Sequence, residues 1–159
     1  PVILDARDEL LAQAIEARPT VISPNLAELQ RLMRRQLSVP EGVVRAAIEL
    51  TERGISVVLV TLGARGAIAV ARGRGAWWAR PPTIERVSSV GSGDAFVAGF
   101  AAASIQRRPL EERLRLAVAG GAANAETLGA GRVGAGRIVE IAGEVTVAPI
   151  AGGDEVKRG

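Results

Sequence analysis

The stretch Val87–Phe100, VSSVGSGDAFVAGF, joins a glycine-rich turn to a helix that we expect to begin at Asp94. Gly91 and Gly93 let the backbone bend without the steric penalty of a Cβ atom, so that consecutive N–H groups at the helix start can converge on an anion. The helix N-terminus favours the ionised form of Asp94, and a hydroxyl held beside this carboxylate could pass it a proton. The stretch therefore indicates phosphoryl transfer. A helix capped by Asp after a Gly-rich turn has the same pattern and is the structural alternative.

Short β-rich runs alternate with helical periodicity along the chain, which is the pattern of an α/β layer fold with a largely parallel sheet. The apolar run Ser56–Thr61 predicts a strand buried on both faces. Glycines in Arg72–Gly75 predict a hairpin turn. The other predicted strands are Val2–Leu4, Thr20–Ser23, Ala67–Val70 and Ala76–Arg80, and the predicted helices are Ala6–Ala17, Leu26–Arg34, Glu41–Arg53, Asp94–Gln106, Leu110–Leu128 and Arg137–Ala142.

The composition is that of one soluble globular domain, with 48% hydrophobic and 23% charged residues in a chain of 159. The absence of Cys excludes disulfide and thiolate chemistry, and the absence of His removes the commonest general base and zinc ligand. Acid–base catalysis must therefore depend on carboxylates or on Lys157, the single lysine.

The charge pattern and hydropathy exclude two classes of partner. The arginines are scattered and form no basic stripe interleaved with aromatic residues, so we expect no nucleic-acid partner. No apolar run reaches the roughly 18 residues of a membrane helix, and no signal-peptide pattern is present at the start. We therefore expect a cytoplasmic protein with no membrane partner.

Two further segments lie where ligand-binding residues are common in open α/β sheets. Asn25 and Glu28 fall three residues apart at a predicted helix start, which places both side chains on one face; taken alone, this pair favours a capping box. Thr61–Gly66, TLGARG, follows the predicted buried strand, and ligands bind beyond the carboxyl ends of such strands. An ordinary turn whose glycines adopt positive φ explains the same residues, and no Walker A motif is present.

A stripe of small residues, Gly120–Ala125 or GGAANA, lies within the predicted helix Leu110–Leu128. Glycine is costly inside a helix unless another group must approach closely. The approaching group is either the adenine of a nucleotide or the neighbouring helix that carries Asp94. The pattern alone leaves both interpretations open.

The segment Ser89–Phe96, SVGSGDAF, resembles the signature Thr-x-Gly-Ala-Gly-Asp of the ribokinase-like (PfkB-type) carbohydrate kinases, with Ser92 where the family commonly has Ala. Ser23–Glu28 resembles the family's Asn-x-x-Glu segment, and Val60–Ala67 resembles its nucleotide-binding strand and turn. The three segments occur in family order. Two later segments, Leu110–Asn124 and Glu144–Val147, are similar to the closing part of the 1-phosphofructokinase and tagatose-6-phosphate kinase branch.

The resemblance implies a ribokinase-like three-layer α/β/α fold with a largely parallel central sheet. It also implies that the chain is truncated: residues 1–150 correspond to the C-terminal, nucleotide-binding half of the kinase domain, and the N-terminal half with its lid is absent. The strand pattern at Pro1–Asp5, without an initiator Met, agrees with this. Residues 151–159 are expected to form a flexible tail.

The resemblance further implies ATP-dependent phosphorylation of a sugar-phosphate hydroxyl, with Asp94 as the general base. Backbone amides of the anion-binding turn would stabilise the transferred group, and Glu28 would bind Mg²⁺ through water. A monovalent cation near this turn is implied by family analogy only. The remaining site residues implied by the resemblance are Gly91, Ser92 and Gly93 in the turn and Asn25, Thr61, Gly63, Ala64, Gly66 and Asn124 as nucleotide contacts.

Several functional alternatives remain at this stage. Fructose 1-phosphate and tagatose 6-phosphate are the leading acceptors, and an unphosphorylated sugar or a nucleoside is the alternative within the same chemistry. A non-catalytic nucleotide-binding module is a second class of function. A Rossmann dinucleotide domain is disfavoured, because no Gly-x-Gly-x-x-Gly opens the first strand–helix turn. The family's lid also implies a homodimer for the full-length enzyme.

Overall fold

The structure is a computed structural model that describes residues 2–6 and 8–151. The tail predicted for residues 151–159 lies, apart from Ala151, outside the described residues. The strands are β1 (Ile3–Leu4), β2 (Val21–Ile22), β3 (Val57–Thr61), β4 (Ala67–Ala71), β5 (Gly75–Arg80) and β6 (Thr146–Pro149). The helices are α1 (Asp8–Ile15), α2 (Leu26–Met33), α3 (Glu41–Glu52), α4 (Ser92–Ile105), α5 (Leu110–Ala125) and α6 (Ala135–Glu144), with a short 3-10 helix at Gly63–Arg65.

The chain divides into two compact units. The first comprises the residues up to Gly63, Ala67–Trp78 and the residues from Ala148 onward, and the second comprises Ala64–Gly66 and Ala79–Val147. Strands β5 and β6 therefore contribute residues to both units.

The sheet has the strand order β1-β2-β3-β4-β5-β6. The pairs β1–β2 and β2–β3 are parallel, with Ile3 beside Val21 and Ile22 beside Val58. Strand β4 runs antiparallel to β3, because the two are joined by a connection too short for a parallel crossover. The α/β class is confirmed, but the sheet is mixed rather than largely parallel.

The core of the first unit forms around β3, as the apolar run Ser56–Thr61 predicts. Val58, Leu59 and Val60 are fully buried, which confirms a strand covered on both faces. Leucine and isoleucine from α1 and valine from α3 pack into the same cluster. Because β2 and β3 are parallel, their carboxyl ends lie at one edge of the sheet, where α2 also begins.

In the second unit, α4 and α5 pack closely enough that side chains are excluded from their contact. A Cβ atom on Gly99 would lie 2.7 Å from the carbonyl oxygen of Leu116, and one on Gly120 would lie 2.8 Å from that of Ala95. Real Cβ atoms do not approach so closely. Of the two interpretations of the small-residue stripe, close packing on the helix that carries Asp94 is thus confirmed.

Predicted boundaries of α1, α4, α5 and α6 are wrong by two or three residues. Helix α4 begins at Ser92 rather than Asp94, and α5 ends at Ala125 rather than Leu128. Strand β6 was not predicted. Most of its residues are exposed and it ends at Pro149, and proline within an apolar run argues against a strand. Across residues 2–6 and 8–151, every helix is too short or too polar to cross a membrane.

Candidate active site

The turn before α4 is set by Gly91, which is the N-cap residue and adopts the left-handed conformation at φ 79° and ψ −1°. The turn closes through two hydrogen bonds: the N–H of Ser92 donates to the carbonyl of Ser89 at 3.2 Å, and the N–H of Ala95 donates to the carbonyl of Gly91 at 2.9 Å. Because the helix begins right after Gly91, Asp94 is its third residue rather than its first. Its carboxylate is exposed and is the only acidic side chain in the first turn.

Three backbone N–H groups at this helix start lack a hydrogen-bond partner among the described residues. Within the part of the chain that the structure describes, the N–H groups of Gly91, Gly93 and Asp94 make no hydrogen bond, and no side chain caps the helix. Unsatisfied donors and the helix dipole together attract an anion. The turn is therefore suited to hold a phosphoryl group beside a carboxylate.

The two glycines of the turn differ in what surrounds them. A Cβ atom on Gly91 would lie 2.4 Å from the Cβ of Ala130, so both its φ and its surroundings require glycine. Gly93 does not adopt a positive φ, and a Cβ atom there would meet nothing within 4 Å. The expectation that glycine is needed for the bend is confirmed for Gly91 and wrong for Gly93, whose surface is open.

Asn124 lies fully buried behind this turn. Its Nδ2 donates to the carbonyl of Val90 at 2.8 Å and to the Oγ of Ser92 at 3.3 Å. Its Oδ1 accepts from the N–H of Gly131 at 2.9 Å. The side chain thus joins the turn before α4 to the loop after α5, and because it is fully buried, a direct contact with adenine would require the groups that cover it to move.

Asn25 and Glu28 form the capping box that the residues alone favour. Asn25 Oδ1 accepts from the N–H of Glu28, and Glu28 Oε2 accepts from the N–H of Asn25, both at 2.9 Å. Asn25 is exposed and forms a parallel β-bridge with Thr61, whose N–H donates to the carbonyl of Pro24 at 3.1 Å. The start of α2 and the end of β3 are thereby held side by side in the first unit.

The segment after β3 turns on two glycines with positive φ. Gly63 has a φ of 63° and Gly66 has a φ of 85°, which confirms the structural explanation of these glycines. A Cβ atom on Gly66 would lie 2.0 Å from the carbonyl oxygen of Ala79, whereas one on Gly63 would meet nothing within 4 Å. Gly63 and Ala64 are exposed in the 3-10 helix. An approaching ligand could therefore reach the backbone at Gly63 but not at Gly66.

The donor set fits a water-mediated Mg²⁺ site better than a protein cage. No group of three or more acidic, His or Cys side chains that could hold a metal occurs among residues 2–6 and 8–151. Mg²⁺ at phosphates commonly uses one or two carboxylates and keeps several waters. Glu28, buried apart from 7% of its surface, is a carboxylate of this kind.

The sequence analysis missed the loop after α5, whose spaced glycines Gly129, Gly131 and Gly134 are the signal that could have indicated it. Ala130 and Gly131 contact the turn and Asn124, as described above. The loop is bounded by an ion pair in which Arg137 Nε and Nη2 donate to the two carboxylate oxygens of Glu126, each at 2.7 Å. This hydrogen bonding lowers the pKa of Glu126 and raises that of Arg137.

The structure gathers the predicted site residues into two groups, one in each unit. Asn25, Glu28, Thr61 and Gly63 lie at the ends of β2 and β3 in the first unit, and Gly91, Ser92, Gly93, Asp94 and Asn124 surround the start of α4 in the second. Ala64 and Gly66 follow β3 directly along the chain and belong to the second unit.

Comparison with known proteins gives concordant matches. The model of the pfkB family of carbohydrate kinases matches residues 1–134. A 1-phosphofructokinase of Escherichia coli is 39% identical over 118 residues, which are 74% of this chain and 38% of that protein. The chain thus spans well under half the length of this relative.

Two solved structures share the fold. The phosphofructokinase-2 of Escherichia coli in complex with potassium superimposes with a TM-score of 0.84 and 30% identity, over 89% of this chain and 46% of that one. The ribokinase of Arabidopsis thaliana complexed with ribose and ATP superimposes with a TM-score of 0.80 and 27% identity, over 89% and 47% of the two chains.

Proposed function

Because this chain belongs to the pfkB family of carbohydrate kinases and has a ribokinase-like fold, we propose that the protein uses ATP to phosphorylate a hydroxyl of a sugar phosphate. The observation that carries the proposal is the turn before α4, where three unpartnered N–H groups lie beside the exposed carboxylate of Asp94. These are the two elements that in-line phosphoryl transfer needs from a protein: charge stabilisation and a base.

The geometry of the turn supports one role for each of its groups. The acceptor hydroxyl passes its proton to the Asp94 carboxylate as its oxygen bonds to phosphorus. The N–H groups of Gly91, Gly93 and Asp94, with the hydroxyl of Ser92, stabilise the charge that develops on the equatorial phosphoryl oxygens. The open surface over Gly93 supports this assignment, since glycine is not needed there for the backbone.

We assign the nucleotide contacts to Asn25, Thr61, Gly63, Ala64 and Gly66. The exposed Asn25 and the open backbone at Gly63 support contacts with a phosphate or ribose, whereas the buried Gly66 would act by shaping the turn. Glu28 would hold Mg²⁺ through water, and that ion would neutralise phosphate charge. An adenine contact by Asn124 remains a prediction.

The proposal also covers the acceptor, a monovalent cation, the oligomeric state and the cellular location. Fructose 1-phosphate is favoured by the named activity of the 1-phosphofructokinase relative, and tagatose 6-phosphate is its neighbour in chemistry. An unphosphorylated sugar or a nucleoside is the alternative, and the ribose named for the Arabidopsis ribokinase supports it. Potassium in the phosphofructokinase-2 structure supports the use of a monovalent cation, and its place near the turn remains a prediction. The homodimer and the cytoplasmic location remain predictions.

The test introduces Asp94→Asn into the full-length protein and compares the variant with the unsubstituted parent. A coupled assay measures ADP release with each acceptor of a panel: fructose 1-phosphate, tagatose 6-phosphate, ribose and a nucleoside. We expect the parent protein to phosphorylate one of them. The substitution should lower kcat by about 10²–10⁴-fold, because the base is lost, while calorimetry shows ATP affinity within about threefold. Glu144→Gln, which removes an exposed carboxylate from α6, is the matched control.

Two outcomes would contradict the proposal. Retained turnover in Asp94→Asn would refute the base assignment. ATP binding by the parent without phosphorylation of any acceptor would favour a non-catalytic nucleotide-binding module.

A further inference from the structure

We propose that Asn124 is a positioning residue of the phosphoryl-transfer site, and that it fixes the direction of the Gly91 N–H group through the carbonyl of Val90. This inference rests on the proposed function. The evidence is the hydrogen-bond network of one side chain, described above, in which Asn124 is fully buried and all three of its partners belong to the turn before α4 or to the loop after α5.

The first step of the argument concerns the peptide that joins Val90 to Gly91. In a planar trans peptide the C=O and N–H groups point in opposite directions. Asn124 Nδ2 holds the Val90 carbonyl at 2.8 Å, so the N–H of Gly91 must point away from Asn124. This N–H is one of the three donors without a protein partner. If the peptide rotated, its carbonyl would replace the donor and repel a phosphate.

The second step concerns the hydroxyl of Ser92. Its oxygen accepts a hydrogen bond from Asn124 Nδ2 at 3.3 Å, which uses one of its lone pairs. A hydroxyl that accepts from an amide on one side keeps its own proton for an acceptor elsewhere. Asn124 therefore favours the orientation in which Ser92 can donate to a phosphoryl oxygen, the chemistry proposed for this turn.

The third step concerns what holds Asn124 itself in place. Its Oδ1 accepts from the N–H of Gly131, which fixes which end of the amide faces the turn. Ala130, next to Gly131, lies against Gly91 so closely that no side chain fits between them. Removing the amide would leave the Val90 carbonyl and the Gly131 N–H without this partner, and the turn would lose its fixed geometry.

The experiment compares Asn124→Ala and Asn124→Asp with the unsubstituted parent, all as full-length proteins. Asn124→Asp keeps the side-chain volume and the oxygen that accepts from the Gly131 N–H, but it removes the N–H donor to the Val90 carbonyl. This variant tests the inference if Asn124→Ala does not fold. We expect kcat to fall by about 10- to 100-fold with both substitutions, with the KM of ATP and acceptor changed by less than about threefold. If Asn124 instead contacts adenine, the KM of ATP should rise with both substitutions. Val118→Ala, which truncates a buried residue on the same helix that makes none of these hydrogen bonds, should leave kcat within about twofold.

A second readout does not depend on catalysis. Hydrogen exchange over residues 87–95 reports the Ser92 and Ala95 N–H groups that close the turn. Exchange there should accelerate in the Asn124 variants and stay unchanged in Val118→Ala. Unchanged kcat and exchange in the Asn124 variants, or equal losses in Val118→Ala, would overturn the inference.

The two readouts separate the inference from the proposed function. If the parent phosphorylates no acceptor, the proposed function fails by itself. Exchange over residues 87–95 then decides the positioning role: acceleration limited to the Asn124 variants supports a role in fixing the turn, and unchanged exchange refutes it.

Discussion

At the residue scale, the start of α4 contains two glycines that differ in backbone conformation and in surroundings. Gly91 has a φ of 79°, and a Cβ atom on it would lie 2.4 Å from the Cβ of Ala130. Gly93 has neither a positive φ nor a neighbour within 4 Å of its Cβ position. Folding therefore explains glycine at position 91 alone. At position 93 the missing side chain leaves space for a group that the folded chain does not supply.

We predict opposite effects for the two alanine substitutions. Gly91→Ala should lower the free energy of unfolding by about 2–4 kcal/mol, because it forces a left-handed conformation and a steric clash. Gly93→Ala should leave stability unchanged or raise it by about 0.5–1 kcal/mol, since alanine is favoured in a helix. The same Gly93→Ala should lower kcat at least tenfold, or roughly 1.4 kcal/mol, because its methyl group blocks an approaching phosphate. Chemical denaturation and steady-state kinetics measure the two effects. Full activity in Gly93→Ala would contradict a phosphate at this surface.

At the element scale, a helix start could be predicted where neighbouring residues cap it. It could not be predicted where contacts with residues far along the chain determine it. The start of α2 was predicted correctly because Asn25 and Glu28 cap it within four residues. The start of α4 was misplaced by two residues, since the left-handed Gly91 that precedes it is packed against Ala130, far along the chain. The partners of Asn124 were not predictable for the same reason: Val90 is 34 residues away, and no local pattern identifies it.

The ion pair between α5 and α6 leads to a prediction on pH. Arg137 hydrogen-bonds the ionised form of Glu126 and lowers its pKa from the ordinary value of 4.5. Since the pKa is lower in the folded state, the pair contributes stability above the unfolded pKa, and this contribution is lost as pH falls through the folded pKa. Glu126→Gln should therefore lower the melting temperature at pH 7, and the difference from the parent should close as pH falls below 4.5 and through the lowered pKa of Glu126.

Thermal denaturation across pH 3 to 7 measures this difference, with Glu144→Gln as the control. Glu144 is an exposed carboxylate at the end of α6 and is not a partner in the ion pairs that Arg137 makes with Glu126 and Glu140. A gap between Glu126→Gln and the parent that stays constant with pH would contradict the electrostatic origin. Raised salt should narrow the gap at neutral pH, because exposed ion pairs are screened.

At the scale of the whole molecule, the alternation of strands and helices was enough to predict the α/β class, and motif order was enough to indicate the family. The prediction of a largely parallel sheet missed the direction of β4, which runs antiparallel to β3. Strand β6 escaped prediction because it is short, exposed and ends in Pro149. Hydrophobic periodicity therefore predicted β3, which is buried along its centre, and missed β6, which is exposed along most of its length.

The two ends of the strand order differ in how open they are to further pairing. Strand β6 includes Pro149, which lacks an N–H donor and so weakens pairing along that edge. Strand β1 pairs with β2 alone among the described strands, and Val2 beside it is 61% exposed. A strand that has one partner strand and an exposed apolar residue beside it can pair with another chain.

We therefore predict that the 159-residue polypeptide associates with itself through β1 as its concentration rises. Val2→Lys should reduce this association, because a charge at an open edge opposes pairing. Val139→Lys, which changes an exposed valine on α6 in the same way, should have no effect and is the matched control. Sedimentation velocity over a range of concentrations measures the association. A monomer at every concentration would contradict the prediction. Equal effects of the two lysine substitutions would show that added charge, and not the β1 edge, controls association.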